Sequence, residues 1–311
     1  MKKLISIVTP CFNEEGNIEE LHARIKAVMK SQPYDYEHIC IDNCSTDGTI
    51  DKLRKIASDD PNFKVIINAR NFGHIKSPYH ALLQANGDAC VLIASDLQDP
   101  PEMIAEFIEK WEAGFKTVLA VKPESEESRM MFLARKTYYR LISKISEVPL
   151  IQNATGAGMF DRAVLDILRR IQDPYPYFRG LLCEIGFPIA TVSFKQPRRT
   201  RGITKNNFYT LYDIGMLGIT NHSKVPLRLM AMAGFILSIF SLLAAFIFLV
   251  AKLVFWDKFQ IGTAPTLIGI FFFGAMQSFF IGVLGEYVAS IHTKVRNMPL
   301  VVESERINFK E

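Results

Sequence analysis

The sequence predicts an α/β domain built on a mainly parallel sheet, with two membrane-spanning helices appended. Three observations carry that expectation. From Leu4 to Val121 short apolar runs alternate with segments of helical periodicity, the pattern of β-α-β crossovers. Two later runs, Leu229–Ala251 and Ile261–Gly285, carry no charged side chain, and each exceeds the roughly 20 residues a helix needs to cross a bilayer. The basic residues are unevenly placed. Lys195, Arg198, Arg199, Arg201, Lys205, Lys224 and Arg228 precede the first run and Lys294 and Arg296 follow the second, while the connecting loop holds only Lys252 and Lys258 against Asp257. That asymmetry puts both termini in the cytoplasm.

The elements follow in order. Leu4–Thr9 is a β-rich run ended by Pro10, and Glu15–Met29 spaces Ile18, Leu21, Ile25 and Val28 as one helix face. His38–Ile41 is a second strand; Thr49–Ala57 is a helix opened by Ser45, Thr46 and Asp47. Lys64–Asn68 is a third strand, Ser77–Ala85 a helix ended near Asn86-Gly87, and Ala89–Ala94 an unbroken apolar strand buried on both faces. After Pro100-Pro101, Glu102–Trp111 reads as helix, Thr117–Val121 as strand and Met130–Ser143 as helix. Residues 150–205 give no clear period. Phe208–Ile219 has the apolar stripe of an interfacial helix. The expected units are a catalytic domain over 1–205, an amphipathic juxtamembrane segment over 206–228, two membrane helices over 229–290 and a cytoplasmic tail over 291–311.

The net charge of +4 is small, and the concentrated basic residues suit an anionic membrane surface or phosphates rather than nucleic acid. The cysteines show no C-x-x-C spacing, which points to reduced thiols and away from zinc. Leu4–Phe12 is too short for a signal peptide, and Asn13-Glu14-Glu15 follows it.

In sheets of this kind ligands sit outside the carboxyl ends of the strands, which selects Pro10–Glu14, Asp42–Asp47, Ala69–His74 and Ser95–Asp99. Asp96 stands where a buried strand emerges, with Gln98 two residues on. In extended backbone both face one side and could share Mg²⁺ or Mn²⁺ with phosphate oxygens and water. Asp96 and Asp99 could instead cap the helix that Pro100-Pro101 opens; Asp96 is early for that role, and for Asp99 both readings stay open. The carboxylates of Asp42–Asp47 could meet a nucleobase and ribose, or simply close a turn.

Taken together, Thr9-Pro-Cys-Phe-Asn-Glu-Glu, Asp42-x-x-Ser-Thr-Asp-Gly-Thr, Arg70-Asn-Phe-Gly-His and Ser95-Asp-Leu-Gln-Asp-Pro-Pro-Glu resemble the family 2 glycosyltransferases of GT-A fold. Within them the chain is most similar to the polyisoprenyl-phosphate glycosyltransferases, GtrB-like and dolichyl-phosphate-mannose-synthase-like, over about residues 4–228. The resemblance implies that Pro10, Asn13 and Glu14 line a nucleotide pocket, that Asp42 contacts the base, and that Asp96 and Gln98 hold the divalent cation on the donor diphosphate. It also implies that the cations of Arg201-Gly-Ile-Thr-Lys205 grip the donor diphosphate or the lipid phosphate, joined by Arg129 or Arg135; Arg198 to Lys205 could alternatively be a plain membrane-surface patch. The implied reaction is inverting transfer of a hexose, with UDP-glucose the favoured donor, to undecaprenyl phosphate. Mannose, galactose or an aminoarabinose-type sugar would need only modest changes in the pocket.

Three departures from the family pattern stand out. Ala94 replaces the first acid of its D-x-D, Asn43-Cys44 replaces a frequent Asp-Gly, and Gly156-Ala157-Gly158-Met159 stands where Gly-Asp-Phe-Arg is common. Asp161, the nearest acid to the last of these, is expected to cap the following helix. A processive polysaccharide synthase is disfavoured, because Gln196-Pro-Arg-Arg is followed by Thr200 rather than tryptophan. A silent nucleotide-sugar or lipid-phosphate binding module has only the two alanines in its support. Gly269, Gly274, Gly282 and Gly285 in the second span point to a homo-oligomer.

Overall fold

The computed structural model describes residues 2–122, 151, 153–171, 173–194, 225–254, 263–296 and 298–309. In chain order the elements are β1 (Leu4–Cys11), α1 (Ile18–Lys30), β2 (Asp35–Asp42), α2 (Thr49–Asp59), β3 (Phe63–Asn68), α3 (Gly73–Leu83), β4 (Ala89–Leu92), α4 (Met103–Glu112) and β5 (Thr117–Val121). They continue with β6 (Ala154–Asp161), α5 (Arg162–Arg170), α6 (Phe178–Ile185), β7 (Ile189–Ser193), α7 (Val225–Val254), α8 (Thr263–Val295) and β8 (Glu303–Ile307). The helices expected at Met130–Ser143 and Phe208–Ile219, and the cations Arg129, Arg135, Arg198, Arg201 and Lys205, lie outside the described residues.

One eight-stranded sheet runs β7-β5-β6-β4-β1-β2-β3-β8. Its β4-β1-β2-β3 centre is parallel, as the alternating pattern predicts. β6 runs antiparallel to both β4 and β5, and β7 is parallel to β5. Successive strand residues point to opposite faces, so Ile5 and Ile7 pack with Leu21, Ile25, Phe107 and Trp111 on one side. Val8 and Ile66 pack with Tyr79, Leu82, Leu165 and Leu168 on the other. Helix α1 buries Ile18, Leu21, Ile25 and Met29 and carries Glu19 and Glu20 in its first turn and Lys30 in its last, signs that favour its macrodipole.

Several boundaries differ from the sequence reading. Helix α3 starts at Gly73, four residues before the expected Ser77, and takes Pro78 inside it. Asn71 Oδ1 accepts from the Gly73 amide at 2.8 Å, satisfying one of the amides that open a helix. Strand β4 ends at Leu92 rather than Ala94. Asp161 caps α5 as expected, accepting from the Ala163 amide at 3.0 Å.

The segment read as a tail holds β8, which pairs antiparallel with β3. Asn308 fixes its far end by donating from Nδ2 to the carbonyls of Ala57 (2.7 Å), Phe63 (2.8 Å) and Asp60 (3.4 Å). Between β7 and β8 stand the long apolar helices α7 and α8. Phe235 is 73% exposed and Phe240 68%. By length and composition Phe272–Val295 can cross a membrane, and Val225–Ser241 is a shorter apolar stretch.

Candidate active site

The selected strand ends converge on two adjoining cavities. One, about 410 Å³, is lined by Glu14, Asn43, Asn71, Ser95 and Asp96. The other, about 340 Å³, is lined by Asp99, Thr155, Ala157, Tyr177, Phe178 and Arg179. Pro10, His74, Pro78 and Ala94 border both. Of the site residues read from sequence, Pro10, Glu14 and Asp96 therefore face this cleft.

Asn13 and Asp42 sit behind its wall. Asn13 adopts φ 57°, a left-handed conformation that asparagine tolerates well. Its amide donates to Ser45 Oγ at 2.8 Å and its Oδ1 accepts from the Thr46 amide at 2.8 Å. Asp42 is fully buried and accepts from the Ser45 amide (2.8 Å), the Ser45 hydroxyl and the Cys11 thiol (3.7 Å). Burial raises its pKa, against the Ser45 and Cys11 contacts that favour the carboxylate. Both side chains thus latch the β1 and β2 loops together.

Asp96 and Gln98 are not on extended backbone. Leu97 has φ 56°, and Asp96 Oδ1 accepts from the Gln98 amide at 3.2 Å, so the pair belongs to a tight turn. Asp96 reaches the cleft, whereas Gln98 is half-buried and outside both linings. Asp99 does not cap α4. That helix opens on carbonyls, with Met103 N bonded to Pro100 O and Ile104 N to Pro101 O at 3.1 Å each. Asp99 instead turns inward, 7% exposed, and its Oδ1 has no hydrogen-bond partner among the described residues. Burial and the neighbouring Asp96 charge lift it to about 6, against a hydrogen bond from Thr155 and the charges of Arg179 and Lys122.

Two of the sequence departures gain an explanation here. Asn43 Oδ1 accepts from the Phe72 amide (2.9 Å) and from Asn68 Nδ2 (3.1 Å), and Asn43 Nδ2 donates to Asn71 Oδ1 at 2.9 Å. An aspartate could accept but could not donate to Asn71, so Asn43 fits its place as the tie between β2, β3 and the 70–73 loop. At Gly158 a Cβ would lie 2.3 Å from the Val118 carbonyl oxygen, so the β5–β6 contact excludes any side chain there. Ala94 and Ala157 face the same cavity as Asp99, a convergence hidden in the sequence by their separation.

The glycosyl transferase family 2 model matches residues 6–167. This is a family 2 glycosyltransferase. Across 96% of its length the glycosyltransferase is 34% identical to an uncharacterized glycosyltransferase of Bacillus subtilis, covering 92% of that protein. It is also 32% identical to a prophage-derived bactoprenol glucosyl transferase of Shigella flexneri, over 98% of this chain and 99% of the relative. Among solved structures it is similar to a glucosyl-3-phosphoglycerate synthase of Mycobacterium tuberculosis, with 23% identity, 70% of this chain and 76% of that chain covered, and TM-score 0.49.

Proposed function

We propose that this glycosyltransferase moves a hexose from a nucleotide sugar, with UDP-glucose the favoured donor, to a polyprenyl phosphate at the cytoplasmic face of a membrane. The observation that carries the reading is the return of the chain to its own sheet. It leaves the catalytic domain into two long apolar helices and comes back as β8, so a crossing by one of them would have to be matched by a return through the other. Such a hairpin would hold the cleft at headgroup level, where a polyprenyl phosphate must stay because each buried CH₂ is worth about 0.8 kcal/mol. The relatives named as bactoprenol glucosyl transferases support both the acceptor class and glucose.

The 410 Å³ cavity with Glu14 and Asp96 is the proposed donor side. Asp96 is the hard oxygen ligand expected for Mg²⁺ or Mn²⁺, with Gln98 next in the same turn. The ion would take further ligands from the donor diphosphate and water, the few-protein-oxygen arrangement that Mg²⁺ favours. When bound, it supplies charge neutralisation of the leaving diphosphate. Asn13 and Asp42 act by holding the base-side loops in register. Arg201 and Lys205 are proposed to grip the donor diphosphate or the lipid phosphate, with Arg129 or Arg135 beside them and Arg198 near the membrane surface. A phosphate acceptor is already ionised near neutrality, its second pKa being roughly 6, so no general base is required and alanine at 94 and 157 is compatible with turnover. Single displacement gives inversion, and NMR of the lipid product reads its anomeric configuration.

The test is transfer of label from a panel of nucleotide sugars to undecaprenyl phosphate by purified chain, with Mg²⁺ or Mn²⁺. Organic-extractable product from UDP-glucose, lost in EDTA, upholds the reading; uptake from another sugar nucleotide corrects the donor alone. Nucleotide binding without any lipid product would favour a binding module. An added Cβ at Gly274, Gly282 or Gly285, which share one face of α8 at helical spacing, would meet nothing within 4 Å among the described residues, leaving that face open to a second copy, and light scattering in detergent should give a multiple of the 35.3 kDa chain.

A further inference from the structure

We propose that the junction between the end of α8 and the 70–73 loop is a binding site for a phosphate group, separate from the transfer cleft. A third cavity of about 410 Å³ lies there, lined by Arg70, Lys76 and Arg296 together with Phe72, Met298 and Val302. Its volume falls within the roughly 300–1,000 Å³ of small-molecule sites. Three cations border it and, among the described residues, no acidic one does.

None of the three has an ion-pair partner among the described residues. Arg70 donates to the Asn71 carbonyl (3.1 Å) and lies 4.0 Å from the centre of the Phe72 ring. Lys76 Nζ is 5.8 Å from the centre of the Tyr175 ring. Two acids close to the lining and to its neighbours are already held: Glu303, next to Val302, by His80 and Arg306, and Asp173, two residues from Tyr175, by Lys294 at 3.7 Å. Three like charges around one hollow repel one another, and an anion relieves that repulsion. A phosphate meets guanidinium and ammonium donors with charge-assisted hydrogen bonds.

The position indicates what kind of phosphate fits. Arg296 directly follows α8, which is anchored by the Lys294–Asp173 pair, and the ring of Phe72 and the side chains of Met298 and Val302 give the hollow an apolar wall. Cation and hydrocarbon together suit a phospholipid headgroup with its first methylenes, while inorganic phosphate would satisfy the cations alone. Occupancy would reach the transfer cleft through the loop itself, because Arg70 and Phe72 face this site and the alternate residues Asn71 and Gly73 line the donor-side cavity. The inference does not depend on the sugar or on the lipid acceptor proposed above.

The test is calorimetric titration of the full chain in uncharged detergent with dihexanoyl-phosphatidylglycerol and, separately, with inorganic phosphate. Saturable binding of one ligand per chain is expected, weakened about tenfold or more in Lys76→Gln/Arg296→Gln with the unfolding midpoint unchanged. Saturation by the lipid alone identifies a headgroup site, equal saturation by inorganic phosphate identifies a free-phosphate site, and either upholds the proposal. Equal binding by the parent chain and the double variant, or saturable binding of neither ligand, overturns it.

Discussion

Two buried carboxylates stand at or beyond the ends of strands that build the cleft, and their surroundings are opposite. Asp42 has its oxygens engaged by Ser45 and Cys11. Asp99, almost as deeply buried, keeps one oxygen without a partner among the described residues, at the edge of a cavity. Burying a polar group without a hydrogen bond is costly, so the fold tolerates at Asp99 what it avoids at Asp42. The first carboxylate holds loops together; the second is buried at the edge of a cavity with part of its hydrogen-bonding capacity unused among the described residues. Asp96 lies between these extremes, fixed by the turn it closes yet facing the donor-side cavity.

The comparison can be broken or sharpened by substitution. The largest effect is expected from Asp96→Ala, with transfer to polyprenyl phosphate falling on the order of 10²–10³-fold, the usual cost of one electrostatic contact to the transition state. Thermal stability should change little, which a melt run beside the radiolabel assay checks. Asp42→Ala should instead unfold more easily by about 1–3 kcal/mol in urea, because it strands the buried Ser45 donors.

Asp99→Asn should act with the opposite sign. The native chain keeps the Asp99 proton up to about 6, whereas the unfolded chain loses it near the ordinary carboxylate value. Native stability therefore falls as pH rises through that interval and then levels. The asparagine variant should be the more stable by about 1–2 kcal/mol at pH 8 in EDTA, with the difference gone near pH 4; a variant less stable at pH 8 would refute the contrast. Ser45→Ala, which removes one of the contacts to Asp42, should cost about 1 kcal/mol and leave the affinity for divalent cation unchanged.

The parallel centre of the sheet was legible because each of its strands is a short apolar run between turn residues, and the helix faces repeat as amphipathic helices must. The four strand ends that build the cleft followed from that order alone. Other features resisted for separate physical reasons. Glu303–Ile307 reads Glu-Ser-Glu-Arg-Ile, an edge strand whose polar side chains carry almost no period. Asp99 precedes two prolines and looks like a helix opener, and only tertiary packing reveals that its carboxylate turns inward. Gln98 was placed beside Asp96 by assuming extended backbone, which the left-handed Leu97 prevents. The amide of Asn43 looked incidental until Asn68, Asn71 and Phe72 were seen to converge on it.

The strand that completes the sheet is made after the two long helices. During synthesis the catalytic core can assemble while the outer edge of β3 is still uncovered, since β8 leaves the ribosome only after α7 and α8. An uncovered edge strand invites pairing with other chains. A nascent chain stalled before Glu303 should therefore be sticky and dependent on chaperones, and emergence of β8 should end that exposure. Because Asn308 then binds carbonyls around the α2–β3 turn, closing the edge also ties the segment after α8 to both α2 and β3.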